Sequence, residues 1–442
     1  MKKSLLILLF TCWALFFAAF RPVMPFAAET AAFPDGTPVT GGRILMGPIG
    51  EPSNLIPYMA SDSASGEITG LLYVAPLKYD KDLNVVPWAA ASYEVLEGGR
   101  LLRFVLRDDI RWEDGVPLTA DDVEFTYKLM IDPKTPTAYS GDFLAIESFK
   151  KTGRLSFEVR YAKPFARSLM TWMGAILPKH VLEGQDIMTT PVARKPIGAG
   201  PYRLAKWDAG SMLTLTASDT YFEGRPNLDE VVYRIIPDPS TMFLELKAGK
   251  LDMMSLSPQQ YLRQTQGPQW ERDWRKYRYL SFSYTFLGFN LEHPFFKDVR
   301  VRRAISMAID RQSLIDGVLL GQGVPTVGPY KPGTWAYNDK LTPVRQDVDE
   351  ARRLLDEAGW KKDKDGLLER DGKPFLFTIL VNQGNDSRIK AAIIIQSQLK
   401  ALGITVHIRT VEWAAFIKEF VNKGHFDAII LAWTITLDPD IY

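Results

Sequence analysis

Cysteine is nearly absent from this chain of 442 residues, which has one, Cys12. Cys12 lies within the apolar run "SLLILLFTCWALFFAAF", which Lys2 and Lys3 precede and the small-residue stretch "FAAET" follows. This order is typical of a secretory signal peptide. We expect residues 1–28 to be removed, with the cut between residues 27 and 32, so that the exported protein has neither a disulfide nor a thiolate metal site. An uncleaved membrane anchor is the alternative, since the run is at the short limit for a span.

A large excess of either charge is also missing. The chain has 53 Lys and Arg against 52 Asp and Glu, and removal of the N-terminal segment leaves 50 basic and 52 acidic residues. Nucleic-acid binding normally requires a basic face, so this composition predicts no nucleic-acid partner. An apolar content of 46% with 24% charged residues is typical of a globular protein, and the length allows two or three domains.

Catalytic and metal-binding patterns are weak. The four histidines lack the spacing of a zinc motif, and no serine lies in a G-x-S-x-G elbow. Glu113 and Asp114 make a poor glycosidase pair, because neighbouring residues in a turn point in different directions. The sequence therefore predicts no enzyme, no cofactor and no bound metal.

The stretch "KPIGAGPYRLAKW" has two glycines, Gly198 and Gly200, but not the third glycine or the Gly-Lys-Ser/Thr of a phosphate-binding loop. Pro201 also removes a backbone donor. We interpret this stretch as a tight turn that enters a strand.

Residues from Gly41 to about 275 show short strand patterns with a helix that Thr119 can cap. The C-terminal part alternates regularly: the strand patterns "FLFTILV", "ITVHIRT" and "FDAIILAW" are separated by helix patterns at Ser387–Leu402 and Trp413–Asn422. This alternation predicts a parallel βαβαβ unit. Ligands bind at the carboxyl ends of such strands, which correspond to residues 382–386, 410–412 and 434–440.

Four long stretches resemble, in order, the family 5 extracellular solute-binding proteins, the peptide- and nickel-binding components of ABC importers. The resemblance runs from about Gly41 to the last residue, and the family's usual "GTGPY" is "GAGPY" here. The stretches are "LRFVLRDDIRWEDGVPLTADDVEFTYKLM", "KPIGAGPYRLAKWDAGSMLTLTASDTYFEGRPNLDEVVYRII", "LGFNLEHPFFKDVRVRRAISMAIDRQSLI" and "RIKAAIIIQSQLKALGITVHIRTVEWAAFIKEF".

The resemblance implies an α/β fold: a two-lobed, periplasmic-binding-protein-like (type II) clamp with mixed sheets. We expect a first lobe of two subdomains at 41–275, a crossover and hinge at 276–290, and a second lobe at 291–442. In the family the second lobe continues further, so we expect the second lobe of this sequence to be incomplete and truncated at its C-terminus. The implied partners of this periplasmic monomer are a small peptide or other solute and an ABC permease in the inner membrane.

Five residues are the candidates for ligand binding. Trp433 lies where an aromatic ring can stack on a ligand at the sheet edge. In the dipeptide and oligopeptide binders, an aspartate three residues after the equivalent tryptophan holds the ligand's terminal ammonium. That position here is Thr436, whose hydroxyl carries no charge, and Asp438 is the nearby carboxylate that can replace it. The candidates are Trp433, Asn382, Gln383, Tyr58 and Asp438.

The identity of the ligand stays open within this resemblance. An oligopeptide is the leading expectation, and an oligosaccharide or a chelated metal bound by the same fold is the alternative. A non-functional fragment of such a protein is a further reading. An exported hydrolase would need a catalytic constellation that the sequence does not show.

Overall fold

The computed structural model describes residues 38–48 and 50–435. The predicted signal peptide, Thr436 and Asp438 lie outside the described residues. Within the described part, no helix combines the length and the apolar character needed to cross a membrane.

The first lobe is built on two large sheets that share one core. The sheet β4-β5-β7-β6 is antiparallel, and the sheet β11-β1-β10-β9-β8 is mixed, with β1 parallel to both of its neighbours. Phe104 and Phe157 stack at 4.8 Å between ring centroids in this core. The strands are β1 (Arg43–Gly47), β2 (Leu77–Tyr79), β3 (Val85–Pro87), β4 (Ala90–Leu96), β5 (Leu101–Leu106), β6 (Ile146–Lys151), β7 (Ser156–Tyr161), β8 (Tyr202–Asp208), β9 (Met212–Ala217), β10 (Glu230–Arg234) and β11 (Met253–Met254). The helices are α1 (Ser63–Leu72), α2 (Ala120–Ile131), α3 (Ser140–Leu144), α4 (Ser168–Thr171), α5 (Lys179–Leu182), α6 (Pro239–Lys247) and α7 (Pro268–Asp273).

Two local predictions for this lobe are confirmed. Thr119 caps α2 in a capping box that Asp122 completes. The "GAGPY" stretch is a tight turn: the Gly200 N–H donates to the Leu72 carbonyl at 2.9 Å, and β8 begins two residues later. A Cβ on Gly198 would lie 1.9 Å from the Leu72 oxygen, so only glycine fits there.

The second lobe contains one four-stranded sheet in the order β12-β18-β16-β17. Its strands are β12 (Ser283–Phe289), β13 (Lys361–Lys362), β14 (Leu368–Arg370), β15 (Lys373–Pro374), β16 (Leu376–Asn382), β17 (Thr405–Val411) and β18 (Ala428–Thr434). Its helices are α8 (Val299–Ala308), α9 (Arg311–Leu319), α10 (Val348–Glu357), α11 (Asp386–Lys400) and α12 (Trp413–Ala415).

The predicted parallel unit is present in this sheet. β16 pairs in parallel with both β17 and β18, and α11 connects β16 to β17. The second connecting helix differs from the expected continuous helix, because α12 is followed by a π-helical segment at Phe416–Val421. β12 pairs antiparallel with β18, so the chain joins this sheet within the segment expected to be the crossover.

Candidate functional site

The carboxyl ends of the parallel strands face the first lobe. Gly384 follows β16, and a Cβ there would lie 2.6 Å from the Pro237 carbonyl oxygen of the first lobe. Trp413 follows β17, and its side chain packs so closely on Gly50 that a Cβ on that glycine would be 2.8 Å from the Trp413 Cβ. The edge expected to bind a ligand is therefore also the edge at which the two lobes meet.

Trp413 links the two lobes through a buried polar cluster. Its indole Nε1 lies 3.4 Å from Asp62 Oδ1, and both side chains are buried. Asp62 caps α1 by accepting from the Ser65 N–H, and its carboxylate also accepts from the hydroxyls of Ser53 at 2.5 Å and Ser65 at 2.8 Å. The first lobe thus holds this carboxylate in place, and the second lobe adds one donor to it.

Trp433 lies near the end of β18 with 49% of its surface exposed. One face of the indole stacks on Phe286 of β12, with ring centroids 6.4 Å apart and ring planes 13° apart. This contact orients the ring while leaving about half of its surface free for another flat or apolar group. Its role in binding stays a prediction.

Asn382 and Gln383 are neighbours in sequence, but their side chains have different environments. Asn382 is fully buried: its Oδ1 accepts from Arg388 Nη1 at 2.6 Å, and its Nδ2 donates to the Gln383 carbonyl at 3.2 Å. The Gln383 side chain is exposed, while its backbone N–H donates to the Val411 carbonyl at 2.7 Å. Gln383 can touch a ligand directly, whereas Asn382 acts on the sheet edge by holding Arg388.

Tyr58 lies in the core of the first lobe. It is 7% exposed, and its hydroxyl donates to the Ala175 carbonyl at 2.8 Å. Its ring packs edge-on against Tyr139 and Phe143. Burial raises the pKa of the Tyr58 hydroxyl well above its usual value. Each of these contacts is with the protein itself, and a ligand contact by Tyr58 stays a prediction.

Comparisons with known proteins identify the family. The model of the bacterial extracellular solute-binding proteins, family 5, matches residues 84–442. The oligopeptide-binding protein AppA of Bacillus subtilis is 34% identical over 417 residues, which cover 92% of this chain and 76% of AppA. This chain belongs to family 5 of the bacterial extracellular solute-binding proteins.

Solved structures agree with this assignment. The structure of Bacillus subtilis AppA in complex with a nonapeptide matches this solute-binding protein with a TM-score of 0.85 and 33% identity, covering 91% of this chain and 81% of that one. NikZ from Campylobacter jejuni in complex with Ni(L-His) matches with a TM-score of 0.78 and 27% identity, covering 90% and 78%. The expected two-lobed type II fold and the expected family are confirmed.

Sequence reasoning missed two residues of this solute-binding protein that meet at the lobe boundary, Trp413 and Asp62. Trp413 directly follows the predicted edge segment 410–412, so its position at the carboxyl end of β17 was a usable signal. Asp62 had no comparable signal, because its partner is 351 residues away along the chain. In the described part of the chain, no group of three or more His, Cys, Asp or Glu side chains is placed to hold a metal ion.

Proposed function

We propose that this protein captures an oligopeptide between its two lobes and delivers it to an ABC permease in the membrane. The observation that carries the proposal is the similarity to an oligopeptide-binding protein whose structure was solved with a nonapeptide. The geometry supports it, because the exposed Trp433 and Gln383 lie at the sheet edge that faces the first lobe.

The contact between Trp413 and Asp62 gives this mechanism a physical basis. Closure brings a buried tryptophan of the second lobe onto a carboxylate that the first lobe already orders. A ligand shifts the open and closed populations only if it binds the closed form more tightly. Contacts from both lobes to one peptide supply that difference, since the open form offers only one lobe at a time.

We further propose that the protein acts after export as a monomer, with no catalytic activity and no nucleic-acid partner. The family is extracellular, and the near balance of acidic and basic residues supports the absence of nucleic-acid binding. The five ligand-binding candidates remain those of the sequence: Trp433, Gln383, Asn382, Tyr58 and Asp438.

Calorimetric titration of the exported chain tests the ligand class. A random nonapeptide library with free termini is titrated first, and Ni(L-His) is titrated separately, because NikZ was solved with that complex. We expect heat of binding with the peptide library. Binding of Ni(L-His) without any binding of peptide would contradict the proposal and favour the alternative of a chelated metal.

Trp433→Ala tests the binding edge. Loss of one aromatic contact costs about 0.5–1.5 kcal/mol, so we expect roughly 3- to 10-fold weaker peptide binding. The matched control is Trp335→Ala, which removes a tryptophan that is 83% exposed elsewhere in the second lobe. Equal affinities for the two variants would remove Trp433 from the site.

A further inference from the structure

A groove of about 820 Å³ lies within the second lobe, between β12, the helices α8 and α9, and the first turn of α11. Its described lining is largely apolar and includes Ile305, Ile395 and Ile430. Three cationic residues line it as well, and its described lining contains no Asp or Glu. The groove therefore suits an apolar segment that carries negative charge. The cationic residues are Arg311, Lys331 and Arg388.

Two of these cations have partners in the described structure. Arg311 donates to the backbone carbonyls of Ser306, Ile309 and Val344 and to the Ser306 hydroxyl. Lys331 Nζ lies 4.5 Å from the centroid of the Phe282 ring. Neither interaction needs a further anion.

Arg388 differs from both. It is 9% exposed, and its guanidinium has one acceptor in the described structure, Asn382 Oδ1. A guanidinium has five N–H donors, so most of them have no acceptor in the part of the chain that is described. Burial lowers the pKa of Arg388 to about 10, and no acidic group in that part opposes the shift. Removing an unpaired ion from water costs several kcal/mol, so a buried arginine is expected to have an anionic partner.

The helix adds to this expectation. Arg388 is the third residue of α11, whose first backbone N–H groups and positive dipole end point the same way. A cation is unfavourable there, whereas an anion is favoured by both the helix end and the guanidinium. Arg388 and the start of α11 thus form one site for a carboxylate.

The chain itself brings carboxylates to this site. The Ile435 N–H donates to the Phe282 carbonyl at 2.7 Å, next to the groove wall formed by Ser281, Ser283 and Tyr284. The following segment, "TLDPDIY", contains Asp438 and Asp440 together with three large apolar residues. Its composition matches the cationic and apolar lining of the groove.

The reach of the segment is sufficient. The sheet register places Asn382 level with Leu431, four residues before Ile435, or roughly 13 Å along the strand. Five residues extend at most ~17 Å from Ile435 to Asp440, whereas three extend at most ~10 Å to Asp438. Asp440 can therefore return to the row of Asn382 and Arg388, and Asp438 is at the limit.

We propose that Arg388 forms a buried ion pair with a carboxylate of residues 436–442, with Asp440 favoured over Asp438. The pair anchors this acidic and apolar segment in the groove of the second lobe. The inference is independent of the proposed function, because it concerns the protein's own carboxylate and not that of a bound solute.

Urea unfolding of the exported chain tests the pair by a double-mutant cycle with Arg388→Met, Asp440→Asn and the double variant. We expect each single variant to raise the unfolding equilibrium constant roughly 10- to 100-fold, since a hydrogen bond to a charged group contributes about 1.5–3 kcal/mol. The double variant should be no less stable than Arg388→Met alone. Asp438→Asn in the same cycle is the matched control, and Arg388→Lys, which keeps the charge, should lose less than Arg388→Met.

The sign of the Arg388→Met effect makes the test decisive. Without an anionic partner, the methionine removes a buried charge and the variant should be more stable than the wild type, which would overturn the proposal. A destabilised variant with no coupling to either aspartate would also overturn it. Coupling that appears only when the nonapeptide library is present would assign the carboxylate to the solute and overturn the source proposed here.

A second measurement covers the case in which Arg388→Met does not fold. In protein labelled with ¹⁵N-arginine, the Nε–H resonance of Arg388 is assigned from the spectrum of Arg388→Lys. We expect Asp440→Asn to shift this resonance and to speed its exchange with water. An unchanged resonance in both Asp440→Asn and Asp438→Asn would refute the ion pair.

Discussion

The N-termini of α2 in the first lobe and α11 in the second lobe have the same layout but opposite charge. Each helix has a polar cap and a buried charged side chain at its third position, Asp122 in α2 and Arg388 in α11. The Asp122 carboxylate accepts from the Thr119 N–H at 2.9 Å and the Lys179 N–H at 3.0 Å. Arg388 has one acceptor in the described structure, Asn382.

The difference shows where each lobe finds the partners of its buried charges. An acidic residue suits the positive end of a helix, so α2 is satisfied by backbone groups of its own lobe. An arginine at the same position opposes the helix dipole and needs an anion from another part of the chain or from a ligand. The first lobe is thus self-sufficient at this point, and the second lobe is not.

Removal of Asp122 should have the largest effect on this comparison. Asp122→Ala breaks the capping box and leaves the Thr119 and Lys179 N–H groups without their acceptors, so we expect a loss of about 2–4 kcal/mol in the free energy of unfolding. Burial raises the pKa of Asp122, and the backbone donors oppose that shift. Asp122→Asn, which keeps one acceptor, should lose less.

Asp121→Ala is the matched control in the same turn. Asp121 is 43% exposed and pairs with Lys151, so its removal should cost less than about 1 kcal/mol in urea unfolding. If both alanine variants lose the same stability, the buried contacts of Asp122 do not distinguish the α2 terminus.

The corresponding change in the second lobe is Asn382→Ala. It removes the acceptor of the Arg388 guanidinium, and we expect a loss of about 1.5–3 kcal/mol in the free energy of unfolding. Gln383→Ala, one residue further along, removes an exposed side chain and should change stability by less than about 0.5 kcal/mol. Thermal unfolding and peptide titration of both variants separate the two roles.

We expect Asn382→Ala to change stability, and Gln383→Ala to change peptide affinity alone. A stable Asn382→Ala variant with weakened peptide binding would instead place Asn382 in direct contact with the ligand.

Local patterns in the sequence predicted much of this fold. The capping box at Thr119, the tight turn at Gly198 and the parallel strands β16, β17 and β18 follow from residues that are close in sequence. Strand and helix periods and cap residues carry that information directly.

Contacts between distant residues could not be predicted in the same way. The partner of Trp413 is Asp62, and nothing near either residue specifies the other. Tyr58 shows the same problem, since an aromatic residue after a proline fits a binding edge as well as a core, and the structure places it among Tyr139, Phe143 and the Ala175 carbonyl. Burial depends on the whole fold, which a single segment does not contain.

Glu113 tests the self-sufficiency of the first lobe with the smallest expected effect. Burial raises the pKa of its carboxyl to about 7, Arg203 opposes the shift and Asp114 adds to it. The folded state therefore binds this proton more tightly than the unfolded chain does. The stability that the protonated form contributes is fully present below the unfolded value of 4.5 and is lost as the pH rises through about 7.

Glu113→Gln removes this titration, so its melting temperature relative to the wild type should rise between pH 4.5 and pH 7 and then level off. Calorimetric melting at several pH values measures the difference, and Glu292→Gln, at a side chain that is 86% exposed, is the control. A difference that is constant across this range would mean that water or Arg203 already stabilises the Glu113 carboxylate. The first lobe would then satisfy this charge as it satisfies Asp122, and the contrast with Arg388 would be stronger.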